Sequence, residues 1–167
     1  MSGEAAGALP EAELDAAIAA LALPAGGTAL DVRCRDGDVL ARVKRRHAVT
    51  TMGIEPSARE AAVAHERVDL VHAAPLAEVA PMEGAWDLVV CIDGADELGG
   101  REQALAGLRR LVRPGGAALF GERVGGEPLA GDRPDRDAVV GAAHAAGWRV
   151  EAERAAPGFR LLTLRAA

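Results

Sequence analysis

Leu30-Asp31-Val32-Arg33-Cys34-Arg35-Asp36-Gly37 is the stretch on which the fold turns. Its first residues complete a short apolar run, Thr28 to Val32, which predicts a strand; a polar turn from Arg33 to Asp38 ends it. Val39, Leu40 and Val43 then follow at helical spacing. Strand, tight turn and helix in that order open a βαβ unit, the building block of a parallel sheet.

The alternation extends in both directions. Upstream, Leu14, Ile18 and Leu21 recur at i, i+4 and i+7 and predict an amphipathic helix from Glu11 to Leu23, ended by Pro24-Ala-Gly-Gly. Downstream, Ala48 to Ile54 predicts a second strand, with Pro56 opening a helix that reaches about Glu66. Val68 to Val71 predicts a third strand, and residues 73–85 hold at most one helical turn between Pro75, Pro81 and Gly84. Trp86 to Ile92 is the most continuous apolar run, as a central strand buried on both faces requires. A helix carrying Leu105, Leu108, Leu111 and Val112 stops at Pro114-Gly115-Gly116, ahead of a fifth strand, Ala117 to Phe120. A Gly/Pro-rich loop over 121–134 leads to a helix with Val139, Val140 and Ala143. Trp148 to Arg154 and Phe159 to Leu164 are two strands joined by Ala-Ala-Pro-Gly, a hairpin signal. The expected architecture is one three-layer α/β/α domain over 11–167 behind a flexible N-terminus over 1–10. Its seven strands take the order 3-2-1-4-5-7-6, the last antiparallel.

Composition narrows the function. A chain of 167 residues that is 50% apolar and 26% charged can bury a core without disulfides or metal. Aromatic residues are only 2% and Tyr is absent, which excludes base-stacking platforms and aromatic cages. A net charge of −6 disfavours nucleic acid and anionic membranes as partners. Cys34 and Cys91 are too few for a disulfide framework and are expected reduced and metal-free. The N-terminal stretch lacks a basic region and a cleavable apolar core. The apolar run Ala16 to Leu23 falls far short of the ~20 residues of a membrane span. A cytoplasmic protein is expected.

Four segments, in order, are similar to motifs of the class I S-adenosylmethionine-dependent methyltransferases. They are Leu30–Gly37, Gly53-Ile-Glu-Pro-Ser57, Trp86–Asp93 and Leu111-Val-Arg-Pro-Gly-Gly116, and the resemblance runs from about Thr28 to Arg165. It implies a Rossmann-like methyltransferase fold, S-adenosylmethionine as cofactor and a small-molecule substrate. It carries Asp31, Gly37 and Glu55 over as ligand contacts, and Arg33, Ala74 and Cys91 complete the candidate cofactor-binding set. The departures are specific. Arg33 and Arg35 stand where the family's first motif has glycines, Ala74 where an acidic residue often reads the adenine, and Asp96-Glu97 where a Glu-His pair is common. Two functions follow: a small-molecule methyltransferase, or a methyltransferase-like protein with a degenerate cofactor site, acting as a non-catalytic partner or scaffold. A nicotinamide-binding domain would need G-x-G-x-x-G after the first strand, which is absent.

Ligands of open α/β sheets bind beyond the carboxyl ends of the strands, so the turns hold the candidates. Glu55 either accepts both hydroxyls of a ribose or complements a helix dipole ahead of Pro56. Asp31 either anchors the turn and reaches a ligand amino group, or pairs with Arg33 or Arg35. Gly37 either permits close backbone approach or simply starts a helix. Arg33 and Arg35 either fill the vacated pocket by pairing with Asp31, Asp36 or Glu55, or clamp an anionic ligand. If both positions need a left-handed backbone, each arginine costs ~1–2 kcal/mol. Cys34 and Cys91 either approach each other at the pocket mouth or are buried hydrophobes. Asp93 and His72 are the candidate bases, while Asp96 and Glu97 either face substrate or solvate their loop. The basic run Arg42, Lys44, Arg45, Arg46, His47 reads as a solvated helix C-terminus.

Overall fold

A computed structural model describes residues 9–124 and 136–167; residues 1–8 and most of the loop over 121–134 lie outside the described residues. The strands are β1 (Thr28–Asp31), β2 (Thr50–Ile54), β3 (Leu70–His72), β4 (Trp86–Ile92), β5 (Val112–Arg123), β6 (Trp148–Ala156) and β7 (Phe159–Ala166). They form one sheet in the order β3-β2-β1-β4-β5-β7-β6. β1 to β5 run parallel and β7 runs antiparallel to β5 and β6. This is the expected order. The hairpin turn is Pro157-Gly158, with Gly158 at φ +77°, a conformation that suits glycine.

The helices are α1 (Glu11–Ala20), α2 (Asp38–His47), α3 (Ala58–Ala64), α4 (Leu76–Val79), α5 (Arg101–Leu111) and α6 (Arg136–Ala145). Successive residues of β4 point to opposite faces and so join two cores. Leu88 and Val90 pack with Leu14, Ile18, Leu40 and Val43 from α1 and α2. Val89 and Cys91 pack with Leu105, Leu108 and Val139 from α5 and α6. All four β4 residues have no solvent exposure, which is why the run is apolar without alternation.

The same two-face arrangement decides between the two readings of the cysteines in favour of buried hydrophobes. Cys34 belongs to the core under α1 and α2, Cys91 to the one under α5 and α6, so the sheet separates them. β1 and β4 are neighbours, but Cys34 lies past the end of β1, in the turn that leads to α2, and packs on the face that α1 and α2 cover.

Several boundaries differ from expectation, β3 among them, at Leu70–His72, and β5, which runs on to Arg123; three have a clear local cause. α1 ends at Ala20, because Leu21 turns extended while its N–H still bonds to the Ile18 carbonyl; Leu21 remains in the core. α3 begins after Ser57, whose side chain accepts from the Glu60 amide at 3.4 Å, so Pro56 precedes the helix instead of opening it. Ser57-Ala-Arg-Glu60 is a capping-box sequence, a start signal stronger than the proline. β5 starts directly at Val112, paired with Trp86, and its register jumps so that Leu88 faces Ala117. The Pro114-Gly115-Gly116 segment is thus an irregularity at the start of a strand and not a separate loop.

Candidate functional site

The turn after β1 is stitched shut by its own amides. Val32 N–H donates to Val90 O (3.0 Å), Arg33 N–H to Asp31 Oδ1 (2.9 Å), and Cys34 N–H to Ile54 O (2.9 Å). Arg35 N–H donates to Glu55 Oε2 (2.9 Å) and Gly37 N–H to Cys34 O (2.8 Å). Of the two arginines only Arg35 is left-handed, at φ +51°, so the expected backbone cost falls on one position. Gly37, at φ +81°, caps α2, and a Cβ there would lie 2.8 Å from Val68 Cγ2 and 3.2 Å from Ala64. Its glycine is accounted for by this packing.

Glu55 sits at the tip of β2 with no exposure. Its Oε1 accepts from the Ser57 amide at 2.8 Å; its Oε2 accepts from Arg35 N–H and forms an ion pair with Arg33 Nη1. Arg33 continues across the site, its Nε donating to Glu97 Oε2 at 2.5 Å, with Glu60 at 3.6 Å. One guanidinium therefore ties the turns after β1, β2 and β4 together. The Arg33 hydrogen bond holds Glu97 below the usual carboxylate range. Asp31, beneath the same turn, is pushed up to about 7, chiefly because burial penalises its charge.

Above Arg33 lies a cavity of about 420 Å³, walled by Val32, Pro56, Pro75, Leu76 and Leu98, with Glu97 at its edge. Sequence reasoning missed Leu76 and Leu98, which lie on α4 and the 3₁₀ turn Asp96–Leu98; Leu98 alone carried a signal, as an apolar residue directly after Asp96 and Glu97. Among the residues expected at the site, Asp31, Arg33 and Glu55 come together. Ala74 lies at the bend before Pro75 and does not line the cavity. Cys91 is sealed in the core, its thiol pushed up to about 12 by burial. His72 contributes its carbonyl to the Glu55 amide at 3.0 Å, and its ring makes no hydrogen bond among the described residues. Asp93 faces a different, polar cavity beyond β4 and β5. Among the described residues no group of three His, Cys, Asp or Glu side chains is arranged for a metal ion.

The cofactor implied by the sequence motifs fits this site in part. The apolar walls and the volume suit a purine, consistent with the crevice beyond strand ends. Glu55 has both oxygens engaged and no exposure, so ribose hydroxyls reach it only when Arg33 leaves.

Known proteins supply the relationship. No curated protein sequence matches the chain. Solved structures match it widely at low identity. The [4+2]-cyclase SpnF has a TM-score of 0.75 at 18% identity, over 93% of this chain and 80% of that one. A chain from the complex between the Haloferax volcanii Trm112 methyltransferase activator and a putative methyltransferase gives 0.75 at 14%, over 90% and 87%. A Geobacter sulfurreducens S-adenosylmethionine-dependent methyltransferase, in complex with S-adenosyl-L-homocysteine, gives 0.72 at 20%, over 92% and 70%. At these identities the likeness is one of fold. A sequence family described as methyltransferase domain matches residues 8–157, most of the chain. The chain therefore belongs to the methyltransferase-domain family.

Proposed function

We propose that the protein transfers a methyl group from S-adenosylmethionine to a small molecule, and that Arg33 must leave Glu55 for the cofactor to seat. The cavity beside Arg33 carries this reading: it lies beyond the carboxyl ends of β1, β2 and β4, and Arg33, which lines it, is ion-paired with the buried Glu55 carboxylate. When bound, the cofactor supplies an electrophilic methyl group. The chain's own part is to hold the base against Val32, Pro75 and Leu98 and to orient the ribose through Glu55.

A second reading rests on Arg33 itself. Its pairing with Glu55 and Glu97 closes the cofactor site from within and suits a non-catalytic partner or scaffold. A neighbour of the same fold occurs with an activator protein, which supports a protein partner as part of that reading. The acidic net charge disfavours a nucleic-acid substrate in either case. No helix of the described residues is long and apolar enough to cross a membrane, and two buried reduced thiols suit the cytoplasm.

Calorimetry with S-adenosylmethionine and S-adenosylhomocysteine on the wild type and on Arg33→Gly separates the readings. Weak wild-type binding that the glycine variant strengthens about 10-fold or more supports the enzyme gated by Arg33. Absence of binding in both proteins overturns it in favour of the scaffold.

A further inference from the structure

Beyond the ends of β4 and β5, next to the start of α5, lies a second cavity of about 210 Å³. Five charged side chains line it, Asp93, Asp96, Arg101, Glu122 and Arg123, over the small residues Ala95 and Gly121. No large apolar side chain reaches it, and its volume is below that of pockets for drug-sized molecules. An aromatic or lipid-like ligand has nothing to pack against here.

The charges are built into place. Glu122 accepts from Arg101 Nε (2.9 Å) and Nη2 (3.1 Å), fixing that guanidinium in a two-pronged pair. Asp93, held left-handed at φ +54°, accepts from Arg123 Nε at 2.8 Å and faces Arg35 Nη2 at 3.4 Å. Among the described residues these contacts leave Arg101 Nη1 and the two terminal nitrogens of Arg123 without an acceptor. Asp96 is exposed, and its carboxylate has no donor among the described residues. Two arginines with unfilled donor positions thus line one small cavity together with a carboxylate that has no donor among the described residues.

We propose that this cavity binds a small zwitterion of amino-acid type, its carboxylate on Arg101 and Arg123 and its ammonium on Asp96. As a methyl-acceptor site it rests on the methyltransferase reading above; as a binding site it does not. The 3₁₀ turn joins the two cavities, Asp96 facing this one and Glu97 the cavity over Arg33.

The test uses the full chain without cofactor, so its failure is distinct from failure of the methyltransferase reading. Ligand-observed NMR titrations compare L-alanine, propionate, ethylamine and indole. L-alanine is expected to bind about 10-fold or more tightly than propionate or ethylamine, since both charges must be met, with no binding of indole. Asp96→Asn should weaken L-alanine about 10-fold and leave propionate unchanged, whereas Arg123→Gln should weaken both. Both substituted residues are exposed, and unchanged circular dichroism checks their folding. Absence of L-alanine binding, equal binding of propionate or indole, or L-alanine binding that Asp96→Asn leaves unaltered would each overturn the proposal.

Discussion

The Arg33 guanidinium lies on the Glu55 carboxylate, and together they close the tip of β2 from solvent. Arg33 occupies a glycine position of the family's first motif, and Glu55 is the acidic residue that the same family resemblance assigns to the ribose. A departure from the family motif and a residue that matches it therefore meet in a single ion pair.

Removing the charge without the bulk tests how much that pair holds. Arg33→Met leaves Glu55 buried with only the amides of Arg35 and Ser57 as donors. A stability loss of about 3 kcal/mol is expected from urea unfolding, because a buried carboxylate loses its counter-charge. A loss below about 0.5 kcal/mol would mean that solvent screens the pair as it does at a surface.

Asp31 gives a pH dependence of unusual sign for a carboxylate. Its folded pKa of about 7 stands above the ordinary 3.8, chiefly through burial, with the Arg33 amide and the Arg35 charge opposing. The folded state then holds the proton more tightly than the unfolded chain. Asp31's contribution to stability is fully present below its unfolded pKa and is lost as pH rises through about 7. Asp31→Asn removes that loss. The stability of the variant relative to wild type should rise between pH 4 and 8 by on the order of a few kcal/mol. Parallel pH curves for the two proteins would show that Asp31 titrates normally.

Glycine and arginine in the same turn respond oppositely to exchange. Gly37→Ala places a Cβ 2.8 Å from Val68 Cγ2 on a backbone at φ +81° and should lower stability by about 2–3 kcal/mol. Arg35→Gly releases a side chain held at φ +51° and should raise the melting temperature slightly, by the equivalent of about 0.5–1 kcal/mol. Destabilisation by Arg35→Gly would mean that its contact with Asp93 outweighs the backbone strain.

Both thiols are expected to be inert in the native protein. Burial pushes Cys34 and Cys91 up to about 12, and the sheet keeps them on opposite faces. Iodoacetamide followed by intact mass should show no label before unfolding and two afterwards. Native labelling, or an internal disulfide, would contradict this placement.

Much of the architecture was legible because it depends on local periodicity and chain order. Strands such as Trp86–Ile92, buried on two faces, must be continuously apolar, and the two-residue link at Pro157-Gly158 permits only an antiparallel return. The motif order likewise puts Asp31, Arg33 and Glu55 on adjoining turns. What the tertiary structure decided is which of several partners each charge takes. Asp31, Asp36 and Glu55 all lie near Arg33 in sequence or on adjoining turns, yet its guanidinium pairs with Glu55 and with Glu97, sixty-four positions away, while Asp31 accepts from the Arg33 amide instead. Cys34 and Cys91 fall on opposite faces of the sheet, which is set by how the turn after β1 packs against α2. Sequence determines which side chains have charge to satisfy and roughly which strand ends carry them. The angle at which each leaves a turn, and so the pair that closes the site, is set only when all the turns are packed together.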